Sequence, residues 1–219
     1  MTSALAAAAM VTPPAAAATS AGGLWHFNDR AGSTTASDAS GNNNLGYLRE
    51  GVVAGAPGAA GTAFDFRAES GAWVEVPDRA TLNPGGRSFT YAASVRLDVA
   101  PPVGVTYDIV RKGVTTTAGG EFKLEVAKDG IARCTAKDAN KLVASVSGPR
   151  RNVANGAWHR ISCSRSATAF RITVDGVSRT KTVTLGSISN TRSLSIGAKY
   201  GVEDRTPGFI DEVQLQIVG

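Results

Sequence analysis

The chain has 219 residues, 42% of them apolar, and 25 glycines, which suits one domain with a large core and many turns and is too short for two comfortable domains. Its formal net charge is +5, but Arg96, Lys123, Lys137, Arg171 and Lys181 stand singly among acids, and the densest basic run is Pro149-Arg150-Arg151. A nucleic-acid reader gathers its cations along one face with aromatics between them, so this balance reads as a solvated basic surface with no nucleic-acid partner.

Residues 1–18 are rich in alanine, carry no charged side chain and end in Pro14-Ala15-Ala16-Ala17-Ala18. That is the apolar stretch and small-residue cleavage site of a secretory leader without its basic n-region, so a signal-peptide remnant is expected here, cut near Ala18-Thr19. The stretch falls short of the roughly 20 residues that cross a bilayer, and no other approaches that length, so no membrane span is expected. The mature domain is expected over residues 19–219, exported and extracellular.

Strand-like runs then follow one another with no helical alternation. Leu24-Trp25-His26-Phe27 leads into a polar loop, Ala36 to Gly46, rich in Ser, Asn and Asp. Gly61 to Phe66 and Trp73-Val74-Glu75-Val76 come next. In Ser88 to Leu97, the residues Phe89, Tyr91, Ala93, Val95 and Leu97 fall on one face, the clearest period-two signal in the chain. Asp108 to Lys112 and Phe122 to Val126 follow, and Lys128-Asp129-Gly130 turns the chain into the segment holding Cys134. Leu142 to Val146, Trp158 to Cys163 and Phe170 to Val174 continue the series. Asp175-Gly176 is a type I′ hairpin signal. Leu194 to Gly197 and Ile210 to Ile217 complete it. About a dozen short strands without helices predict an all-β protein of two packed antiparallel sheets.

Cys134 and Cys163 both sit in period-two segments and can face one another across neighbouring strands. Export favours a disulfide over two buried thiols. Their spacing matches neither a redox CxxC nor a zinc site.

Several phrases resemble the laminin-G-like, concanavalin A-like jelly roll of secreted bacterial proteins. They are Trp73-Val74-Glu75-Val76-Pro77-Asp78, then Leu82-Asn83-Pro84 and Ser88-Phe89-Thr90, then Gly156-Ala157-Trp158-His159-Arg160, Thr173-Val174-Asp175-Gly176-Val177 and the closing Ile210-Asp211-Glu212-Val213. Each is weak alone, but together, in the family's order, they cover Leu24 to Ile217. The resemblance implies a jelly-roll sandwich whose first and last strands lie side by side.

That juxtaposition suggests a cation site. Calcium takes six to eight oxygens from carboxylates, amides, carbonyls and water. Asp38, Asn42 and Asn44 offer side-chain oxygens from one loop, and Asp211, an acid inside an apolar strand, would reach the same ion from the other chain end. A structural Ca²⁺ is therefore expected. The plainer reading is a set of turns, with Asp211 capping a neighbouring backbone. The family often has a second acid where this chain has Leu45.

The same sandwich also hosts glycoside hydrolases and lyases. The hydrolases carry a Glu-x-Asp-x-x-Glu strand that is missing here; Glu121 and Glu125 are four apart, and Asp211 and Glu212 are adjacent. His26 and His159 lack a lyase setting, and no Gly-x-Ser-x-Gly elbow, phosphate loop or zinc pattern is present. No catalytic residue is assigned. Binding remains: a monomeric, secreted recognition module for carbohydrate or an extracellular protein surface, with a polysaccharide-degrading enzyme or a ligand-free structural module as alternatives. Trp25, Trp73 and Trp158 lie in strand runs and are expected in the core. Tyr47, Tyr107 and Tyr200 lie near loop ends and are the candidates for an exposed binding surface, beside a charged loop from Gly197 to Arg205.

Overall fold

The computed structural model describes residues 19–67, 71–201 and 203–218. The expected leader and its cleavage point lie almost wholly outside them. The strands, in chain order, are β1 (Thr19–Trp25), β2 (Thr35–Ala36), β3 (Gly46–Arg49), β4 (Val53–Pro57), β5 (Thr62–Asp65), β6 (Trp73–Val76), β7 (Phe89–Leu97) and β8 (Tyr107–Lys112). The second half supplies β9 (Glu121–Val126), β10 (Ala132–Lys137), β11 (Val143–Ser147), β12 (Trp158–Arg165), β13 (Ala169–Val174), β14 (Val177–Thr182), β15 (Leu194–Ile196) and β16 (Gly208–Val218).

They form two antiparallel sheets. The first runs β14-β13-β12-β7-β16-β5-β4, with β1 also on β16; the second runs β11-β10-β9-β8-β15-β6-β3-β2. The first and last strands pair, from Trp25 opposite Val213 to Thr19 opposite Val218. One edge of β16 is shared: Phe209 and Ile210 pair with β5, and residues from Val213 onward pair with β1. The register slips between Asp211 and Gln214, and Glu212 takes a left-handed φ of 50° at this junction.

Alternation builds the core. Phe89, Tyr91, Ala93, Val95 and Leu97 of β7 all point inward and are buried. Phe122 of β9 packs on Phe89 and Tyr91 from the opposing sheet, with ring centroids 5.3 and 4.9 Å apart. The Asp175-Gly176 turn joins Val174 to Val177 with φ of 46° and 81°, as a type I′ turn requires.

Cys134 and Cys163 form a disulfide with Cα atoms 5.7 Å apart. The expected geometry needs correcting. Cys134 lies on β10 and Cys163 on β12, which belong to different sheets, so the bond crosses the core and does not join neighbouring strands.

On the second sheet the residues facing away from the core form polar rows. Directly opposed residues share a face, so one row runs Tyr47, Glu75, Ser195, Arg111, Lys123, Thr135. Trp73 is half-buried on that face beside Glu75, because Val74 and Val76 take the inward positions. Trp158 is likewise half-buried and outward, packed near Phe209 at 6.4 Å. Of the three tryptophans, Trp25 alone is in the core.

Candidate functional site

The polar loop between β2 and β3 is held by its aspartate. Asp38 accepts four hydrogen bonds: from the amides of Leu24 (3.0 Å), Ser40 (2.9 Å) and Asn44 (2.7 Å) and from the Ser40 hydroxyl (2.8 Å). Burial pushes its carboxyl up, but these bonds outweigh it and hold the pKa below the usual value. Asn44 is buried; its amide group donates to the Gly22 carbonyl and accepts from the Thr81 hydroxyl at 3.0 Å. The Trp25 indole donates to the Asn44 carbonyl at 2.8 Å. Asn42 donates its amide to the Ser40 hydroxyl oxygen at 3.2 Å.

Asp211 is engaged elsewhere. Its carboxylate accepts the amides of Ala59 (2.8 Å) and Ala60 (3.0 Å) in the β4–β5 turn, and that of Glu212 (2.7 Å). Here desolvation wins, and the pKa is raised. A carboxylate offers about four lone-pair sites. Asp38 has used all of them on donors, and Asp211 has used three. Among the described residues, no group of three or more His, Cys, Asp or Glu is arranged to hold a metal ion. These donor sets do not fit a Ca²⁺ shared by Asp38, Asn42, Asn44 and Asp211. The chain ends are instead joined by hydrogen bonds, Asp38 to β1 and Asp211 to the turn beside it.

What the loop does build is a groove. One cleft of about 230 Å³ is lined by His26, Phe27, Asn28, Asp29, Ser37, Asp38 and Ala39. A second, of about 460 Å³, is lined by Ser37, Asp38, Asn43, Leu45, Tyr47 and Arg79. Ser37 and Asp38 line both. Leu45 and Tyr47 are 39% and 38% exposed and present apolar surface among these polar groups. The Tyr47 ring is steadied by the Arg49 guanidinium, 5.4 Å from its centroid, and Arg49 is in turn paired with Glu75 at 2.8 Å. At the far end, His26 Nδ1 meets the Glu212 carboxylate at 2.9 Å. A tyrosine face beside hydroxyl, amide and guanidinium groups is suited to a ligand with alternating C–H and O–H surfaces.

The other tyrosine candidates are placed differently. Tyr107 is 7% exposed and packs in the core cluster, which rules it out as an open platform. Tyr200 is half-buried: its hydroxyl accepts the Gly113 amide at 2.8 Å and donates to the Ser193 carbonyl at 3.3 Å, and its ring meets Trp73 edge-on at 6.0 Å. Tyr200 therefore fixes the Gly197 to Arg205 loop against the second sheet.

His159 lacks the setting of a catalytic triad. His159 Nδ1 faces Asp175 Oδ2 at 2.7 Å, and its Nε2 faces Asn155 Oδ1 at 2.9 Å, where a nucleophile would have to stand. Asp175 also pairs with Arg151 at 3.0 Å. Its pKa, raised by burial, is carried below the usual value by its bonds to His159, Arg160 and Arg151.

The sequence of residues 68–216 matches the family Laminin_G_3, described as the concanavalin A-like lectin/glucanases superfamily. No curated protein matches the chain. Among solved structures, the binding domain of Paraclostridial Mosquitocidal Protein 1 superposes with a TM-score of 0.70 at 17% identity, covering 90% of this chain and 48% of that one. Domain 4 of AbnA, a GH43 extracellular arabinanase from Geobacillus stearothermophilus solved with arabinotriose, gives 0.68 at 15% identity, covering 91% and 93%. A botulinum neurotoxin serotype D ligand-binding domain in complex with N-acetylneuraminic acid gives 0.66 at 12% identity, covering 90% and 47%. The chain thus spans about half the length of the two toxin domains and nearly all of the arabinanase domain.

Proposed function

Because the chain belongs to the concanavalin A-like lectin/glucanase superfamily, we propose that it is a non-catalytic recognition module that binds carbohydrate on an extracellular surface, through the groove along the 37–45 loop. The observation that carries this reading is Tyr47, an exposed aromatic face set between Ser37, Asn43 and Arg79 in an open cleft of about 460 Å³. Sugars bury their C–H faces on such rings while their hydroxyls take fixed donors and acceptors from the rim. That AbnA domain 4 was solved with arabinotriose supports the class of ligand.

The disulfide supports an exported protein, since such bonds persist in oxidising compartments. No helix among the described residues is long and apolar enough to cross a membrane. In this reading the module acts as a monomer.

The test is affinity electrophoresis against a panel of neutral polysaccharides, with wild type and Tyr47→Ala. Retardation of the wild type on at least one polysaccharide, lost in Tyr47→Ala at unchanged melting temperature, supports the proposal. Equal retardation of both proteins, or of neither, overturns it.

A further inference from the structure

The fold gathers cations that stand singly in the sequence. From Ala139 to Gly201 the chain holds ten lysines and arginines against one acid, Asp175, so the remainder is acidic on balance. Strand β11 is one edge of the second sheet and β14 is one edge of the first. These two edges approach each other and close one long side of the sandwich.

On β14, Arg179 and Lys181 stand directly opposite Ile172 and Phe170 of β13, which face the core. Both cations therefore share one face, about 7 Å apart at the backbone, and project past the rim of the core towards β11. Lys141 stands in the turn before β11, and Arg150 follows that strand. The pairing of Arg151 with Asp175 at 3.0 Å brings the Arg150 end to the β13–β14 turn. At the other end the Ala139 amide donates to the Ser187 carbonyl and the Gly186 amide to Asp138, which holds the Lys141 turn beside the chain leaving β14. The order along this side is thus Arg150, Arg179, Lys181, Lys141, with Arg171 on the neighbouring strand.

The protein does not neutralise this line. Lys141, Arg150, Arg171, Arg179 and Lys181 are exposed, and among the described residues none of them forms an ion pair. Asp175 is taken up by Arg151 and by His159 at 2.7 Å. Arg171 donates to the Thr180 hydroxyl at 3.1 Å. Cations on an edge strand guard it against pairing with another chain. That role accounts for Arg179 and Lys181; it leaves unexplained Lys141 and Arg150, outside either edge strand, and Arg171, on an inner one. The surface beside the line is rich in hydroxyls: Ser145, Ser147, Ser178, Thr180 and Thr182 are exposed. Phe170, the one aromatic of β11, β13 and β14, is fully buried.

We propose that this side of the sandwich binds an acidic polysaccharide, its carboxylates lying along Arg150, Arg179, Lys181 and Lys141. Guanidinium groups take carboxylates in paired, charge-assisted hydrogen bonds, and the serine and threonine hydroxyls meet those of the sugar. A single-stranded nucleic acid draws on exposed rings that stack its bases, and a protein partner on aromatic anchors; this side offers neither. The line shares no residue with the groove at Tyr47, so the two sites stand or fall separately.

The test is calorimetric titration of the full chain with oligogalacturonate, its methyl ester, and single-stranded DNA of equal charge. It is run at about 0.15 M salt, where exposed charges more than about 8 Å apart are screened from one another. The acid form should bind about tenfold more tightly than the ester or the DNA, and weaken as salt is added. Arg179→Gln/Lys181→Gln removes two exposed contacts and should weaken it about tenfold at unchanged melting temperature. Lys128→Gln/Arg205→Gln removes the same charge from exposed sites off the line and should leave affinity unchanged, as should Tyr47→Ala. Equal affinity for acid and ester, DNA binding as tightly as the acid oligomer, no binding at all, or equal weakening in the two double variants would overturn the proposal.

Discussion

Removing the bond between the sheets should expose how much the sandwich depends on it. Cys134 and Cys163 are 29 positions apart, both fully buried, and their bond ties β10 of one sheet to β12 of the other. The chain-entropy relation for a loop of that length gives about 3.5 kcal/mol of stabilisation from constraint of the unfolded chain. The double variant Cys134→Ala/Cys163→Ala also loses two sulfur atoms from a packed core, so the relation sets a floor. For a chain of this size the loss corresponds to a fall in melting temperature of roughly 7–14 °C. Scanning calorimetry of the variant beside unreduced wild type reads this directly. Wild type plus reductant under mildly denaturing conditions should approach the same value. A fall of less than about 2 °C would refute the argument, because it would mean the unfolded chain gains little freedom when the bond is cut. Intact wild type should weigh two hydrogens less than its reduced form.

Three further outcomes follow from individual carboxylates and the groove. Asp38→Ala and Asp211→Ala should each cost about 1–3 kcal/mol, as amides lose their acceptor; urea melts check this, and EDTA should leave the wild-type midpoint unchanged, whereas a metal-dependent shift would restore the cation to the loop. Burial raises the pKa of Asp108 from its ordinary 3.8 to about 7, so its contribution is fully present below the lower value and is lost as pH rises through the higher. Wild type should therefore lose up to about 4 kcal/mol relative to Asp108→Asn between pH 4 and pH 8, and parallel pH profiles for the two would contradict this. Arg79→Ala should weaken neutral-sugar binding several-fold without changing the melting temperature, as measured by titration with the best polysaccharide fragment.

Much of the architecture was legible in local pattern. The five inward residues of β7, the Asp175-Gly176 hairpin and the pairing of first and last strands follow from alternation, turn chemistry and the family phrases. Long-range partnership was not. Nothing local says that β10 and β12 lie in different sheets, so the disulfide was foreseeable and its direction across the core was not. The orientation of Trp73 could have been read from Val74 and Val76, which claim the inward face, and that of Trp158 from His159 and Ile161.

The candidate sites were harder still. Asp38 and Asp211 had the right chemistry for a cation, yet their oxygens accept donors that include the amides of Leu24, Ala59 and Ala60, distant in sequence from the aspartates they serve. Glu121 and Glu125 were set aside as four apart, although on a strand that spacing puts both on one face. Asp108 and Arg111 join them only because β8 pairs with β9. Tyr47 is exposed because Gly46 and Leu48 face inward on β3 and leave its ring on the outer surface.

Carbohydrate recognition through the 37–45 loop is tested most directly by mapping the bound sugar in solution. Amide chemical shifts of the isotopically labelled protein, titrated with a fragment of the polysaccharide that retards it most, should move for residues 26–29, 37–47 and 79, with smaller changes elsewhere. Shifts confined to the opposite sheet around β7, β12 and β13, with the loop and Tyr47 unmoved, would contradict the account.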